Sequence, residues 1–214
     1  MSTRRIGFRS LVSTMLLALV FAAPAPAQVG APPSERDGLL RRYQGARDGA
    51  TIEEWVRRLE DPDASVRLGA VKSIAESGDS QAPKHLMAAS LDPDPRVASR
   101  AVDALGRLRA AEATDFLAER LFTVGTGDDM RRQILAALAR IGDARASRPI
   151  LQFVDRTEDP ELRAVAIFAV GEVGDTTVLG DVERIAGRET EPELRRVARE
   201  ALEKISGRRF EPTP

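Results

Sequence analysis

The sequence predicts an all-α protein, an α-solenoid of about five stacked helix pairs, on three observations. One segment recurs five times in 214 residues, beginning at Asp63, Asp94, Gly127, Asp159 and Glu191, at intervals of 31, 33, 32 and 32 residues. Within each copy the apolar residues fall at helical spacing. Aromatics make up only 4% of a chain in which Ala, Leu, Val and Arg abound. A steady period of this length marks a stack in which each unit buries its apolar face only against its neighbours. Small aliphatic side chains suit helix-on-helix packing better than a β-sandwich.

Each copy opens on a helix start. Asp63, Asp94, Asp159 and, less favourably, Glu191 stand at the N-cap, with Pro95, Pro160 and Pro192 at the first helical position, where a missing N–H costs nothing. Gly127 fills the cap of the third copy. Counted from the cap, positions three, seven and eleven carry Val66, Ala70 and Ile74 in the first copy and Leu162, Ala166 and Val170 in the fourth. That spacing puts one apolar stripe on each repeat helix. Gly78, Gly142 and Gly174 at position fifteen predict left-handed helix ends, and Asp79, Asp143 and Asp175 then start the next turn. Arg109 and Ser206 break this glycine pattern.

Shorter, more variable helices are predicted between the repeats, over 52–59, 82–91, 113–122, 147–154 and 178–185. Positions eight and twelve of the first four copies are small or apolar (Val71 and Ala75, Val102 and Gly106, Leu135 and Ala139, Ile167 and Gly171), as contact with a following pair requires. In the fifth they become Arg199 and Glu203, which predicts a capping repeat.

The strings Val66-Arg67 to Ala70, Leu162-Arg163 to Ala166 and Val170-Gly171 to Asp175 resemble the short HEAT repeats first described in phycobilisome lyases, over 51–206. Neither the tetratricopeptide opening W-x-x-L-G-x-x-Y nor the ankyrin string T-P-L-H-x-A occurs. The resemblance implies a superhelix with a concave face lined by the repeat helices.

Residues 1–27 read as a secretory signal peptide: Arg4, Arg5 and Arg9 with no acid, an apolar run from Leu11 to Ala23, then Ala25-Pro26-Ala27 before a cleavage at Gln28. The apolar run is too short for a span. An exported protein, periplasmic or secreted and without a membrane span after cleavage, is therefore expected. Residues 28–50 are rich in Pro, Gly and Arg and read as a linker with one short helix near Leu39 to Tyr43; 207–214 read as a flexible tail.

Composition and motifs then narrow the function. Formal charge is −1, and loss of the three signal-peptide arginines leaves about −4, without the basic excess of a nucleic-acid binder. With no cysteine, disulfides and thiolate chemistry are excluded. The one histidine, His85, offers neither a serine-nucleophile base nor the paired His-Glu sites by which HEAT-like deoxyhypusine hydroxylases hold iron. Acids such as Asp63 and Asp159 read as caps that pair with Arg67 and Arg163 four residues on. No cofactor or catalytic residue is expected, and the functional expectation is a scaffold for a protein partner. Alternatives are a chaperone-like adaptor for a cofactor-bearing protein and a structural spacer. Positions six, nine and thirteen of the repeat helices lie off the apolar stripe, on the face the resemblance makes concave. The candidate binding residues there are Arg100, Asp103 and Arg107, then Gln133 and Arg140 with Ala136 between, then Val165, Phe168 and Glu172. An aromatic beside Val on a polar face, flanked by arginines, is the expected hot spot.

Overall fold

A computed structural model describes residues 51–207, which form ten α-helices, three 3₁₀ turns and no strand. The expected signal peptide, 28–50 linker and tail beyond Gly207 lie outside the described residues. The variable helices are α1 (Ile52–Arg58), α3 (Ala82–Ala89), α5 (Thr114–Arg120), α7 (Ser147–Arg156) and α9 (Leu179–Arg188). The repeat helices are α2 (Ala64–Glu76), α4 (Pro95–Arg107), α6 (Asp128–Ile141), α8 (Pro160–Val173) and α10 (Pro192–Ser206). Each variable helix packs on the repeat helix that follows it, and the chain is a stack of five pairs as predicted. No described helix is long and apolar enough to cross a membrane.

The repeat helices pack closely on one another in the order α2, α4, α6, α8, α10, while the variable helices barely touch their counterparts. A stack tighter along one layer curves towards it, so the repeat helices form the inner, concave layer. Positions seven and eleven are buried in every copy, and so is position eight in the first four (Val71, Val102, Leu135 and Ile167). Arg199 and Glu203 stay half exposed on α10. Val66 departs from its stripe and is exposed, because α1, short and with no buried residue of its own, leaves the start of α2 uncovered.

Close approach within the inner layer depends on small residues. A Cβ on Gly106 would lie 2.9 Å from Ala137 Cα, and one on Gly171 would lie 2.9 Å from Ala201 Cα. Position twelve of one repeat helix thus seats on position ten of the next.

Asp63, Asp94 and Asp159 cap their helices by accepting backbone N–H bonds, and Asp143 and Asp175 do so at the 3₁₀ turns. The left-handed ends hold at Gly78 and Gly142, with φ of 68° and 74°. Gly174 corrects the expectation: its φ is −70°, and it is small because a Cβ would meet the Val170 carbonyl at 2.6 Å and Ile205 Cδ1 at 2.8 Å. Arg109 keeps the geometry without the glycine. Its φ is 51°, and the bonds Ala110 N–H to Leu105 O and Arg109 N–H to Gly106 O close α4 in a Schellman motif.

A second correction concerns the cap acids. Arg67 turns away from Asp63 and pairs bidentately with Asp92 of the next pair, at 2.7 and 2.8 Å, while its Nη1 donates to the Asp61 and Pro62 carbonyls. Arg163 likewise leaves Asp159 for Glu189, at 3.4 Å, and donates to Thr157 O. A cap carboxylate is already engaged by the N–H groups of its own first turn. The arginine one turn on is better placed to satisfy carbonyls at the end of the preceding variable helix and an acid across the junction.

Candidate functional site

The candidate residues form three parallel stripes on the inner layer, one turn or less apart along α4, α6 and α8. On α4, Asp103 pairs with Arg107 in its own helix and with Arg140 of α6 at 2.6 Å. On α8, Glu172 pairs with Lys204 of α10. Asp103, Arg107, Arg140 and Glu172 therefore belong to a ladder of exposed ion pairs that ties neighbouring repeat helices together. Each such pair contributes roughly 0–1 kcal/mol to stability.

Four candidates stand apart from the ladder. Arg100 is exposed and makes no ion pair among the described residues. Val165 is half-buried and packs on the core. Phe168 is 54% exposed, so it points off the inner layer rather than into the core. The arginines expected to flank it are directed elsewhere: Arg140 turns to α4, on the far side of α6 from Phe168. The cation–π contacts among the described residues join Arg120 to Phe116 and Arg156 to Phe122 instead. Phe168 is an apolar anchor with an ion pair on α8 one turn away, not an aromatic in an arginine cage. Gln133 differs again. It lines a hollow of about 540 Å³ on the inner face together with Arg100, Asp103 and Ser99, and its Oε1 is buried without a hydrogen-bond partner.

Sequence reasoning missed a larger feature on the edge of the stack, among the loops within pairs two and three. A cleft of about 700 Å³ opens there, bounded by the start of α4, the end of α5, the 121–127 loop and the start of α6. Ser99 and Gln133 line both the cleft and the inner hollow, so the two are continuous. Position four of the repeat explains where the cleft falls. It is Arg67, Arg131 and Arg163 in copies one, three and four, and each of those arginines donates to a carbonyl at the end of the preceding variable helix. In copy two it is Ala98, which lines the cleft. Arg120 of α5 takes over the duty from the other side, its Nη1 donating to Ser90 O at 2.9 Å and Ser90 Oγ at 3.0 Å. Burial pushes the Arg120 guanidinium below the usual arginine range. The missed signal was this one substitution in an otherwise basic position.

Electrostatics elsewhere follow the caps. Hydrogen bonds from Arg96, side chain and backbone, hold Asp94 down to about 2, and similar bonds from Arg145 lower Asp143. Among the described residues no group of three or more His, Cys, Asp or Glu is placed to hold a metal ion. His85 lies half-buried on α3.

The HEAT-repeat family profile matches residues 52–124 and 125–203, well over half of the chain. The chain belongs to the HEAT-repeat family. Among solved structures, this HEAT-repeat protein is similar to the complex of CpcE and CpcF of phycocyanin lyase from Nostoc sp. PCC7120, with a TM-score of 0.59 at 18% identity over 87% of this chain and 70% of that one. An engineered protein aligns with a TM-score of 0.51 at 20% identity, over 83% of this chain and 93% of that one. A designed armadillo repeat protein in complex with the peptide (KR)4 aligns at 0.49 and 16% identity, over 82% of this chain and 95% of that one. No curated protein matches the sequence. At these identities the first two of these matches show the α-solenoid fold alone.

Proposed function

We propose that this HEAT-repeat protein is an exported, non-catalytic scaffold that receives a protein partner on its inner layer, with Phe168 as the anchor. The observation that carries the reading is the exposure of Phe168. Among the described residues it is the one aromatic exposed to solvent, and it sits on the curved layer rather than on the outer helices. A large rigid side chain held there contributes no burial to the fold and gains it only when a partner covers it. The exposed ion pairs around it favour a polar rim over a lipid-facing surface. Export rests on the order of basic, apolar and small residues in 1–27, and the absence of catalysis on the single histidine and the missing cysteines.

Phe168→Ala tests the reading. Thermal unfolding should stay nearly unchanged, because the ring is more than half exposed, while partner capture in crosslinked cell envelopes weakens by more than about 1 kcal/mol. A large loss of stability with unaltered capture would defeat it. N-terminal sequencing of the envelope protein should return Gln28; Met1 or Ser2 would defeat export. The adaptor reading is separated by a bound chromophore or cofactor in the purified complex, and the spacer reading by a monomer that retains nothing.

A further inference from the structure

We infer that the edge cleft between pairs two and three is a second binding site, which takes an acidic side chain flanked by apolar ones on a partner polypeptide. The inference rests on the reading of the chain as a protein-binding scaffold, but it uses a different surface from Phe168.

Arg67 shows what this junction chemistry does when complete. Its Nη1 is fixed on carbonyl oxygens and its Nε–Nη2 edge holds a carboxylate bidentately. Arg120 repeats the first half of that arrangement, with Nη1 fixed on Ser90, and lacks the second. Among the described residues no carboxylate pairs with it, and its Nε and Nη2 donate to nothing. A partly desolvated guanidinium with its fork edge open, in a cleft, is a carboxylate receptor by geometry.

The surroundings argue for a peptide rather than a free anion. Phe116 and Met130 line the cleft beside Arg120, and Leu91 and Val124 stand 62% and 97% exposed at its rim, apolar surface that a small anion would leave uncovered. Gln133 lines the same cleft with its Oε1 buried and unpartnered, an acceptor that a small turn of the side chain would present to a peptide main-chain N–H. The acids nearby do not quench Arg120: Asp92 is held by Arg67 and Asp129 by Arg132, while Glu119 stands exposed on the rim.

The test is selection of short random peptides displayed on phage against residues 28–214. Enriched peptides should carry Asp or Glu beside an apolar residue, and the best of them, synthesised and titrated by fluorescence anisotropy, should bind less tightly as salt rises. Arg120→Gln should weaken them by about tenfold or more. Because Arg120 also supports Ser90, Val124→Asp is the independent variant: its side chain touches almost nothing, so the fold is untouched, and the new charge should repel the same peptides while Val124→Lys strengthens them. No enrichment, enrichment without an acidic preference, or acidic peptides that bind Val124→Asp and Arg120→Gln undiminished would overturn the site. Peptides that lose affinity only with Phe168→Ala would overturn it too, and leave the inner-layer reading standing. Self-association that Val124→Asp abolishes would make the occupant a second copy and likewise overturn it.

Discussion

Two glycine substitutions of identical chemistry should change stability in opposite directions. Gly171 and Gly69 both lie inside repeat helices, so alanine brings each a helix-propensity gain of about 0.5–1 kcal/mol. Around Gly69 nothing lies within 4 Å of the added Cβ, and Gly69→Ala should stabilise by that amount. At Gly171 the Cβ arrives 2.9 Å from Ala201 Cα and 3.0 Å from its Cβ, where ordinary contact begins at 3.4 Å. Since a helix backbone cannot rotate aside, α10 must retreat by about half an ångström along its whole contact with α8. Overpacking of this kind costs about 1–3 kcal/mol, so Gly171→Ala should be destabilising by up to about 2 kcal/mol after the propensity gain is subtracted. Urea denaturation followed by far-UV circular dichroism, with unchanged m, measures both. The double variant Gly171→Ala, Ala201→Gly should recover little, because the Cα at 2.9 Å remains. If Gly171→Ala is as stabilising as Gly69→Ala, the inner layer is not in backbone contact there and the curvature argument fails with it.

Other expectations follow from single contacts. Arg67→Ala strands Asp92, whose side chain is 8% exposed, and should lower the urea midpoint several times more than Arg196→Ala, whose pairs with Glu193 and Glu200 face water. Asp94 is held at about 2, so its contribution is present above the ordinary carboxylate range and fades as pH falls towards 2. Asp94→Asn keeps a cap but cannot titrate, and its stability should fall less steeply than wild type between about pH 4 and pH 2 in acid titrations. Arg109→Gly relieves a left-handed arginine, and the melting temperature should rise, for a gain of roughly 0.5–1 kcal/mol; a fall would mean that the arginine side chain supports the turn.

The fold was legible because every rule acted locally and was repeated. An Asp at the cap, Pro at the first position and a stripe at three, seven and eleven depend on residues one or two turns apart, and five copies reinforce the same pattern. What escaped depended on distance. Arg67 finds Asp92 rather than Asp63, 25 residues away instead of four, and nothing in a helical wheel ranks those two acids. Gly174 looked like its counterparts at 78 and 142 because the sequence shows a small residue, not whether it is small for φ or for a neighbour; here the neighbours are Val170 O and Ile205. Asp103, Arg107 and Arg140 show in the sequence only as polar, aligned positions, and it takes the α4–α6 contact to show that they also pair with one another.

The same contrast explains why the two surfaces differ in how they can be found. Phe168 departs from a polar stripe by being apolar, which the sequence displays directly. Ala98 departs from a basic position by being small. Its consequence appears only in three dimensions, where a missing side chain becomes space and Arg120, from 22 residues along, supplies the hydrogen bonds that the absent arginine makes elsewhere. Replacement from the opposite side restores the carbonyl contact but not the carboxylate one, since no acid has followed it. In a periodic stack the regular positions hold the structure, so a position that is broken and only half compensated is where a requirement other than folding is most readily seen. Ala98→Arg therefore discriminates: if the break were neutral, the new guanidinium would fill the cleft, compete for Ser90 O and leave peptide binding unchanged, whereas a binding cleft would be closed by it.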